Sequence, residues 1–182
     1  MQSSKGIISD TIGIKAVPLG MNTLSTIDIF ASKLMSHSYP TQPIPAVGAV
    51  VFKDQSVLLV RRGQPPNLDL WAIPGGCVRL GETLQEAAQR EIWEETSIRI
   101  RAHRPIYFFD TIDRDGEGRI RYHYVIVDLL ADYVEGWPTA GDDALEARWV
   151  TPTELDALPV SEATLNLLRG EKRKDAFPFE WR

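Results

Sequence analysis

Short runs of apolar residues separated by polar turns predict β-strands soon after residue 45. Residues 47–52 and 56–60 are β-rich runs joined by Lys53-Asp54-Gln55, which predicts a hairpin. Residues 71–76 then read Trp-Ala-Ile-Pro-Gly-Gly. The proline and the glycine pair indicate a short extended piece that leads into a tight turn.

A helix is predicted to begin at Thr83. Thr83 and Glu86 have the spacing of a capping box, in which each side chain bonds the other residue's backbone N–H. Leu84, Ala88 and Ile92 recur at helical spacing and predict one buried stripe. This helix follows directly on the glycine turn.

Strands and helices also alternate in the second half of the chain. Residues 106–112 and 120–130 are apolar runs around an Asp-Gly pair, which predicts a second hairpin. A last short strand is expected at residues 148–150. Helices are expected at residues 151–155, where proline follows a threonine cap, and at residues 165–168. This mixture predicts an α/β or α+β class.

The composition suits one globular domain, which we place at residues 46–170. Residues 1–45 contain no arginine and precede the first convincing strand, so we expect a poorly ordered extension. Weak helical periodicity at residues 24–34 predicts one short helix in that extension. Residues 171–182 are assigned to a C-terminal tail.

The charge balance restricts the classes of partner. A formal net charge of −5 disfavours general binding to nucleic acid or to anionic membranes. The chain also has no apolar run of roughly 20 residues, the length needed to cross a bilayer. A single cysteine, Cys77, excludes an intramolecular disulfide and fits a reducing compartment, so we expect a cytoplasmic protein.

Four carboxylates gather around the predicted helix. Glu91 and Glu95 lie one turn apart on one face, Glu94 lies on its flank, and Glu82 precedes the helix. Glutamates at this spacing usually form a solvated helix face. Mutual repulsion among four of them, opposed mainly by Arg90, points instead to a bound divalent cation. Mg²⁺ is the expected ion because it prefers oxygen ligands, with Mn²⁺ as an alternative.

The spacing of these residues resembles the signature of the Nudix hydrolases. That signature runs Gly, five residues, Glu, seven residues, Arg-Glu, an apolar residue, any residue, Glu-Glu. The matching positions are Gly76, Glu82, Arg90, Glu91, Glu94 and Glu95. Six fixed matches by chance are on the order of one in tens of millions per starting point. The resemblance implies a Nudix-type α/β/α sandwich with a mixed sheet.

The family implies an activity and roles for the matched residues. It implies Mg²⁺-dependent attack of water on a pyrophosphate phosphorus of a nucleoside diphosphate linked to another group. Glu91 and Glu95 would be the main metal ligands, with Glu94 assisting and a carbonyl of Gly75 or Gly76 completing the shell. Glu82 would bind a further metal through water or act as the base. Arg90 would hold the carboxylates in position.

The sequence resembles the small bacterial ADP-ribose pyrophosphatases within the family, which implies a small nucleotide substrate such as ADP-ribose. Arg62 is a candidate phosphate contact, and Trp71 and Gly76 are further candidates for substrate binding. Strand aromatics are usually core residues, but some could stack on a base. The base-stacking candidates are Trp71, Tyr107, Phe109, Tyr122 and His123.

Two other functions remain open at this point. One is hydrolysis of oxidised nucleoside triphosphates, as in MutT-like enzymes. The other is a non-catalytic Nudix-fold module that senses a nucleotide. The intact charged positions and the acidic composition oppose a sensor. Monomer and homodimer are both compatible with the sequence.

Two positions depart from the family pattern. Ser97 replaces the glycine expected at the end of the helix, where a left-handed backbone costs a non-glycine residue roughly 1 kcal/mol. Arg79 lies in a loop where many relatives carry an acidic residue. We interpret Arg79 as a solvated loop charge, with a phosphate contact as the alternative.

Overall fold

The computed structural model describes residues 37–169, which form seven strands and three helices. The strands are β1 Ile44–Lys53, β2 Ser56–Arg62, β3 Trp71–Ala72, β4 Gly75–Cys77, β5 Arg99–Arg114, β6 Ile120–Glu135 and β7 Ala144–Val150. The helices are α1 Leu84–Thr96, α2 Pro152–Leu155 and α3 Glu162–Arg169. Within these residues no helix is long and apolar enough to span a bilayer.

The sheet is mixed and is organised around β1. One edge of β1 pairs in parallel with β6 from Ile44 to Phe52. The other edge is shared, because Ala46, Val47 and Gly48 pair with β4 while Phe52 and Lys53 pair with β2. The remaining pairs, β2 with β3 and β7 and β5 with β6, are antiparallel. This arrangement fixes the β4 glycines beside the centre of the sheet.

Both faces of the sheet are covered, as expected for an α/β/α sandwich. Successive side chains of a strand point to opposite faces, and β1 buries both sets. Val47, Ala49 and Val51 pack in one core cluster with Ala88 and Ile92 of α1. Val50 belongs to a second cluster on the other face, together with apolar residues of β2, β7, α2 and α3.

The ends of α1 have the predicted caps. The Thr83 side chain accepts from the Glu86 N–H, and the Glu86 side chain accepts from the Thr83 N–H. At the other end, Ser97 has φ 56° and ψ 21°, the left-handed conformation that favours glycine. This left-handed backbone conformation is the structural basis of the free-energy cost predicted for serine at residue 97.

Several elements are longer than the sequence pattern predicted. The second hairpin extends over Arg99–Arg114 and Ile120–Glu135, and the last strand begins at Ala144. The first strand begins at Ile44, so residues assigned to the N-terminal extension pair in the sheet. The predicted helix at residues 24–34 and the tail at residues 171–182 lie outside the described residues.

Candidate active site

The matched glutamates lie where α1 faces the sheet. Glu91 and Glu95 are one turn apart on the buried side of α1, and they are only 5% and 4% exposed. Glu94 lies on the flank of that side and is partly exposed. Carboxylates are rarely buried to this degree without a cation or hydrogen-bond donors nearby.

Arg90 connects three of the four carboxylates. Its Nε and Nη2 atoms donate to the two oxygens of Glu82 at 2.6 and 2.8 Å. Its Nη1 atom donates to Glu91 and, at 3.1 Å, to Glu94. Nη2 also donates to the Cys77 carbonyl at 3.1 Å, which ties the side chain to β4. The hydrogen bond from Arg90 is the largest cause that lowers the pKa of Glu82 to about 2.

The glycines of β4 allow the close approach of α1. The Gly75 N–H donates to Glu95 Oε2 at 2.9 Å. A Cβ at Gly76 would lie 2.5 Å from the Glu91 carboxylate, and one at Gly75 would lie 2.2 Å from the Val47 carbonyl oxygen. Any larger residue at Gly75 or Gly76 would push α1 or β1 away. Both positions therefore serve the geometry of the glutamates.

Burial controls the charge of Glu95. Desolvation raises the pKa of its carboxyl well above the ordinary value, and the nearby Asp143 carboxylate raises it further. The Arg62 guanidinium and the Gly75 N–H oppose this effect. Burial disfavours the charged form of these carboxylates. A divalent cation bound beside them would stabilise that charged form.

An acidic residue outside the signature completes a possible metal site. Carboxylate oxygens of Glu91, Glu94 and Asp142 lie within 4.8 Å of one another. Three carboxylates form a hard oxygen donor set, which suits Mg²⁺ or Mn²⁺. Glu95, one of the two expected main ligands, instead bonds the Gly75 N–H and is not part of this group.

The connection between β6 and β7 carries Asp142 to the helix. The Thr139 N–H donates to the Thr96 carbonyl at 2.9 Å, and the Gly141 N–H donates to the Glu95 carbonyl at 3.0 Å. These bonds satisfy carbonyls that have no partner within α1. The Gly-Asp-Asp sequence at residues 141–143 is the signal that could have indicated this residue, but nothing in its spacing relates it to α1.

A cavity of about 480 Å³ lies beside the glutamates. Its described lining includes Glu91, Glu95, Gly75, Gly76, Arg62, Arg79 and Asp143 near α1. The other described lining residues include Phe109, Tyr122, Tyr124, Asp128, Ser161 and Thr164. Glu91 belongs both to this lining and to the three-carboxylate group, so the cavity and the possible metal site are continuous.

Of the substrate-binding candidates, the structure places Arg62 at the cavity and Trp71 in the core. Arg62 lines the cavity, and its Nε donates to the Pro66 carbonyl at 3.0 Å. Trp71 does not line it. Trp71 is 3% exposed, packs in the second core cluster and carries the Arg148 guanidinium 4.8 Å from its ring centre. The expectation that Trp71 contacts substrate is therefore replaced by a core role.

Some of the aromatic candidates on the second hairpin line the cavity and others do not. Phe109 and Tyr122 line the cavity. Tyr107 packs against the second core cluster, and His123 is not among the lining residues. Tyr124, which the sequence analysis did not single out, also lines the cavity and lies 6.3 Å from Tyr122 between ring centres.

Residues 42–169 match the family model of the NUDIX domain. The chain belongs to the NUDIX family. This region contains every strand and helix described above. Within the NUDIX domain, the signature supplies β4, the loop after it and α1. Asp142 and the cavity aromatics Phe109, Tyr122 and Tyr124 come from other elements.

Known proteins with similar sequences and structures include hydrolases. The chain is 36% identical over 117 residues to an ADP-ribose pyrophosphatase from Methanocaldococcus jannaschii, covering 64% of this chain and 65% of that protein. It is 29% identical over 170 residues to the NAD-capped RNA hydrolase NudC from Haemophilus influenzae, covering 86% of this chain and 61% of that protein. The chain thus spans less than two thirds of the length of both relatives.

A solved structure gives a similar result. A MutT NUDIX hydrolase from Burkholderia pseudomallei superposes with a TM-score of 0.57 at 32% sequence identity. The match covers 68% of this chain and 93% of that protein. The α/β/α sandwich expected from the signature is therefore confirmed.

Proposed function

We propose that this NUDIX chain hydrolyses the pyrophosphate bond of a nucleoside diphosphate linked to another group, with ADP-ribose as the preferred type of substrate. The observation that carries the proposal is the position of Glu91. Its carboxylate belongs to the three-carboxylate group and also lines the cavity of about 480 Å³. A cation held there would adjoin a space large enough for a nucleotide.

The proposed cation is Mg²⁺, with Mn²⁺ as an alternative, held by Glu91, Glu94 and Asp142. When bound, it supplies positive charge that neutralises the pyrophosphate oxygens and polarises the attacking water. Arg90 fixes Glu91 and Glu94 through its Nη1 atom, so the ligand oxygens are positioned before substrate arrives. The Gly75 N–H bonds the carboxylate of Glu95, which also lines the cavity.

Glu82 is proposed as a positioning residue rather than as the base. Both of its oxygens accept from Arg90, at 2.6 and 2.8 Å, and one also accepts from the Arg79 N–H at 3.0 Å. These three bonds occupy the oxygens that would otherwise take a proton from water. Glu95 lines the cavity, and among the described hydrogen bonds only one of its oxygens accepts, from the Gly75 N–H. Glu95 is therefore better placed than Glu82 to orient the attacking water.

The ADP-ribose preference has two supports. The relative from Methanocaldococcus jannaschii is named for that activity. The cavity lining also combines the carboxylates of Glu91 and Glu95 with the aromatic rings of Phe109, Tyr122 and Tyr124, which suits a molecule that carries both a diphosphate and a base. Arg62, on the same lining, is the proposed phosphate contact.

Hydrolysis of nucleoside triphosphates is the second candidate, because the similar solved structure is a MutT protein. The two activities differ in their products. Cleavage of ADP-ribose yields AMP and ribose 5-phosphate, whereas cleavage of a triphosphate yields a nucleoside monophosphate and pyrophosphate.

A panel of substrates with Mg²⁺ tests the proposal. The panel contains ADP-ribose, NADH, dinucleoside polyphosphates, oxidised deoxynucleoside triphosphates and, because NudC is a relative, NAD-capped RNA. The expected result is the highest kcat/KM for ADP-ribose and no turnover after chelation. A tenfold preference for an oxidised triphosphate, about 1.4 kcal/mol in transition-state binding, would reverse the choice of substrate.

A further inference from the structure

Arg79 both lines the cavity and contacts one of the proposed metal ligands. It is in the loop between β4 and α1 and contributes to the cavity lining. Its backbone N–H donates to Glu82 Oε2 at 3.0 Å, which anchors the loop. Its guanidinium Nη2 atom lies 3.3 and 3.2 Å from the two oxygens of Glu94. The side chain therefore interacts directly with one member of the three-carboxylate group.

The two arginines on Glu94 are held very differently. Arg90 is 16% exposed and also bonds Glu82, Glu91 and a carbonyl of β4. Arg79 is 58% exposed, and Glu94 is the only carboxylate that its guanidinium contacts among the described residues. An exposed ion pair of this kind contributes little to stability and breaks readily. Arg79 is thus the replaceable partner of Glu94, and Arg90 is the fixed one.

We propose that Arg79 is a phosphate-binding residue that becomes available when a divalent cation binds at Glu94. This inference rests on the proposed function and specifies how its site responds to the cation. Without the cation, Glu94 holds the Arg79 guanidinium. A cation on the Glu94 carboxylate takes over that negative charge and repels the guanidinium, whose loop remains anchored through Glu82.

The chemistry of the released group fits a pyrophosphate. A guanidinium presents a planar set of N–H donors that bonds two phosphate oxygens at once. The cavity that Arg79 lines is also lined by Arg62. Each diphosphate charge would then meet an arginine in addition to the cation. Metal and substrate would consequently bind cooperatively, because the metal frees a group that the substrate uses.

The first experiment measures binding of the metal alone. Free Mn²⁺ is measured by electron paramagnetic resonance in titrations of the full 182-residue chain, as wild type, Arg79→Gln and Arg99→Gln. Arg99 is the matched control, since it is 59% exposed and pairs with Glu135 outside the cavity. Removing the competing cation in Arg79→Gln should tighten Mn²⁺ binding by about threefold. Unchanged or weaker binding in Arg79→Gln would overturn the proposal.

The second experiment measures binding of a diphosphate that cannot be cleaved. The α,β-methylene analogue of ADP-ribose is titrated calorimetrically with and without Mg²⁺. Arg79→Gln should weaken binding about tenfold with Mg²⁺ and less than twofold without it, whereas Arg79→Lys should retain part of the affinity. An equal loss under both conditions would show that Arg79 acts independently of the cation and would contradict the coupling.

A second probe separates failure of this inference from failure of the substrate assignment. The α,β-methylene analogue of ADP has the same bridged diphosphate without the second ribose. If wild type binds the ADP analogue but not the ADP-ribose analogue, the ADP-ribose assignment is wrong. Wild type and the Arg79 variants are then compared with the ADP analogue. If neither probe binds wild type in the presence of Mg²⁺, both the proposed substrate class and the phosphate role of Arg79 are wrong.

Discussion

Gly76 and Glu91 approach so closely that a Cβ at residue 76 would lie 2.5 Å from the Glu91 carboxyl carbon. The contact links β4 to α1 across the proposed metal site. Because Glu91 is also bonded to Arg90, it has little freedom to retreat. A methyl group at Gly76 must therefore displace the carboxylate or separate the two elements.

The Gly76→Ala variant should lose at least about tenfold in kcat/KM, equivalent to about 1.4 kcal/mol, because the Glu91 oxygens would move. The measurement is steady-state kinetics at saturating Mg²⁺ with ADP-ribose. Gly116→Ala is the matched control, since a Cβ there meets no atom within 4 Å. Equal activity of the two variants would show that the position of Glu91 is not critical.

Asp142→Asn should weaken Mg²⁺ binding by about tenfold, because it removes one negative charge from a three-carboxylate group. The expected signature is a shift of the activity curve to higher Mg²⁺ with kcat largely recovered at saturation. Asp54→Asn is the control, since Asp54 is an exposed acidic residue in a hairpin turn and also has positive φ. A variant with an unshifted Mg²⁺ curve would remove Asp142 from the site.

Ser97→Gly should increase the free energy of unfolding by up to about 1 kcal/mol, since Ser97 has φ 56°. The gain is limited because glycine also increases the conformational entropy of the unfolded chain. Urea unfolding of both proteins measures the difference, and turnover should be unchanged. A clear loss of stability would mean that the serine side chain makes a stabilising contact that outweighs the backbone strain.

The turn of the second hairpin gives a prediction on pH. Arg119 is the largest cause that lowers the pKa of Asp115 to about 2, from an ordinary value of 3.8. Backbone N–H groups of Glu117 and Arg119 and the Tyr39 hydroxyl also donate to this carboxylate. Because the folded pKa is the lower one, the stabilisation is complete above pH 3.8 and is lost as the pH falls toward 2.

Asp115→Asn should therefore lower the melting temperature near neutral pH and should reduce the further fall between about pH 4 and pH 2. Melting temperatures measured across this pH range in both proteins provide the test. If the difference between them stayed constant down to pH 2, Asp115 would not be responsible for the acid sensitivity.

The features that the sequence predicted well are those with local causes. The Thr83–Glu86 cap, the end of α1 at Ser97 and the Glu91–Glu95 face all follow from spacing within one helix. The fold followed from resemblance to a family rather than from the periodicity. The lengths of β5 and β6 were underestimated because Arg99, Arg101 and other charged residues occupy the extended strands, where pairing outweighs composition.

The features that were missed depend on contacts distant in the sequence. Asp142 reaches Glu91 and Glu94 only because residues 136–143 fold back along the end of α1. Trp71 was expected at the substrate, yet the structure places it among apolar residues of α2 and α3. A burial pattern in one segment cannot show which face of the sheet another segment will cover.

The hydrogen bonds from Thr139 and Gly141 to the end of α1 make the helix terminus and the Asp142 segment a single cooperative unit. Neither can open locally without exposing the backbone groups of the other. Fluctuation of this unit would remove one carboxylate from the proposed metal site and loosen the turn of helix that holds Glu94 and Glu95. Occupancy by a divalent cation should therefore slow amide hydrogen exchange at Thr139 and Gly141, far along the chain from the signature itself.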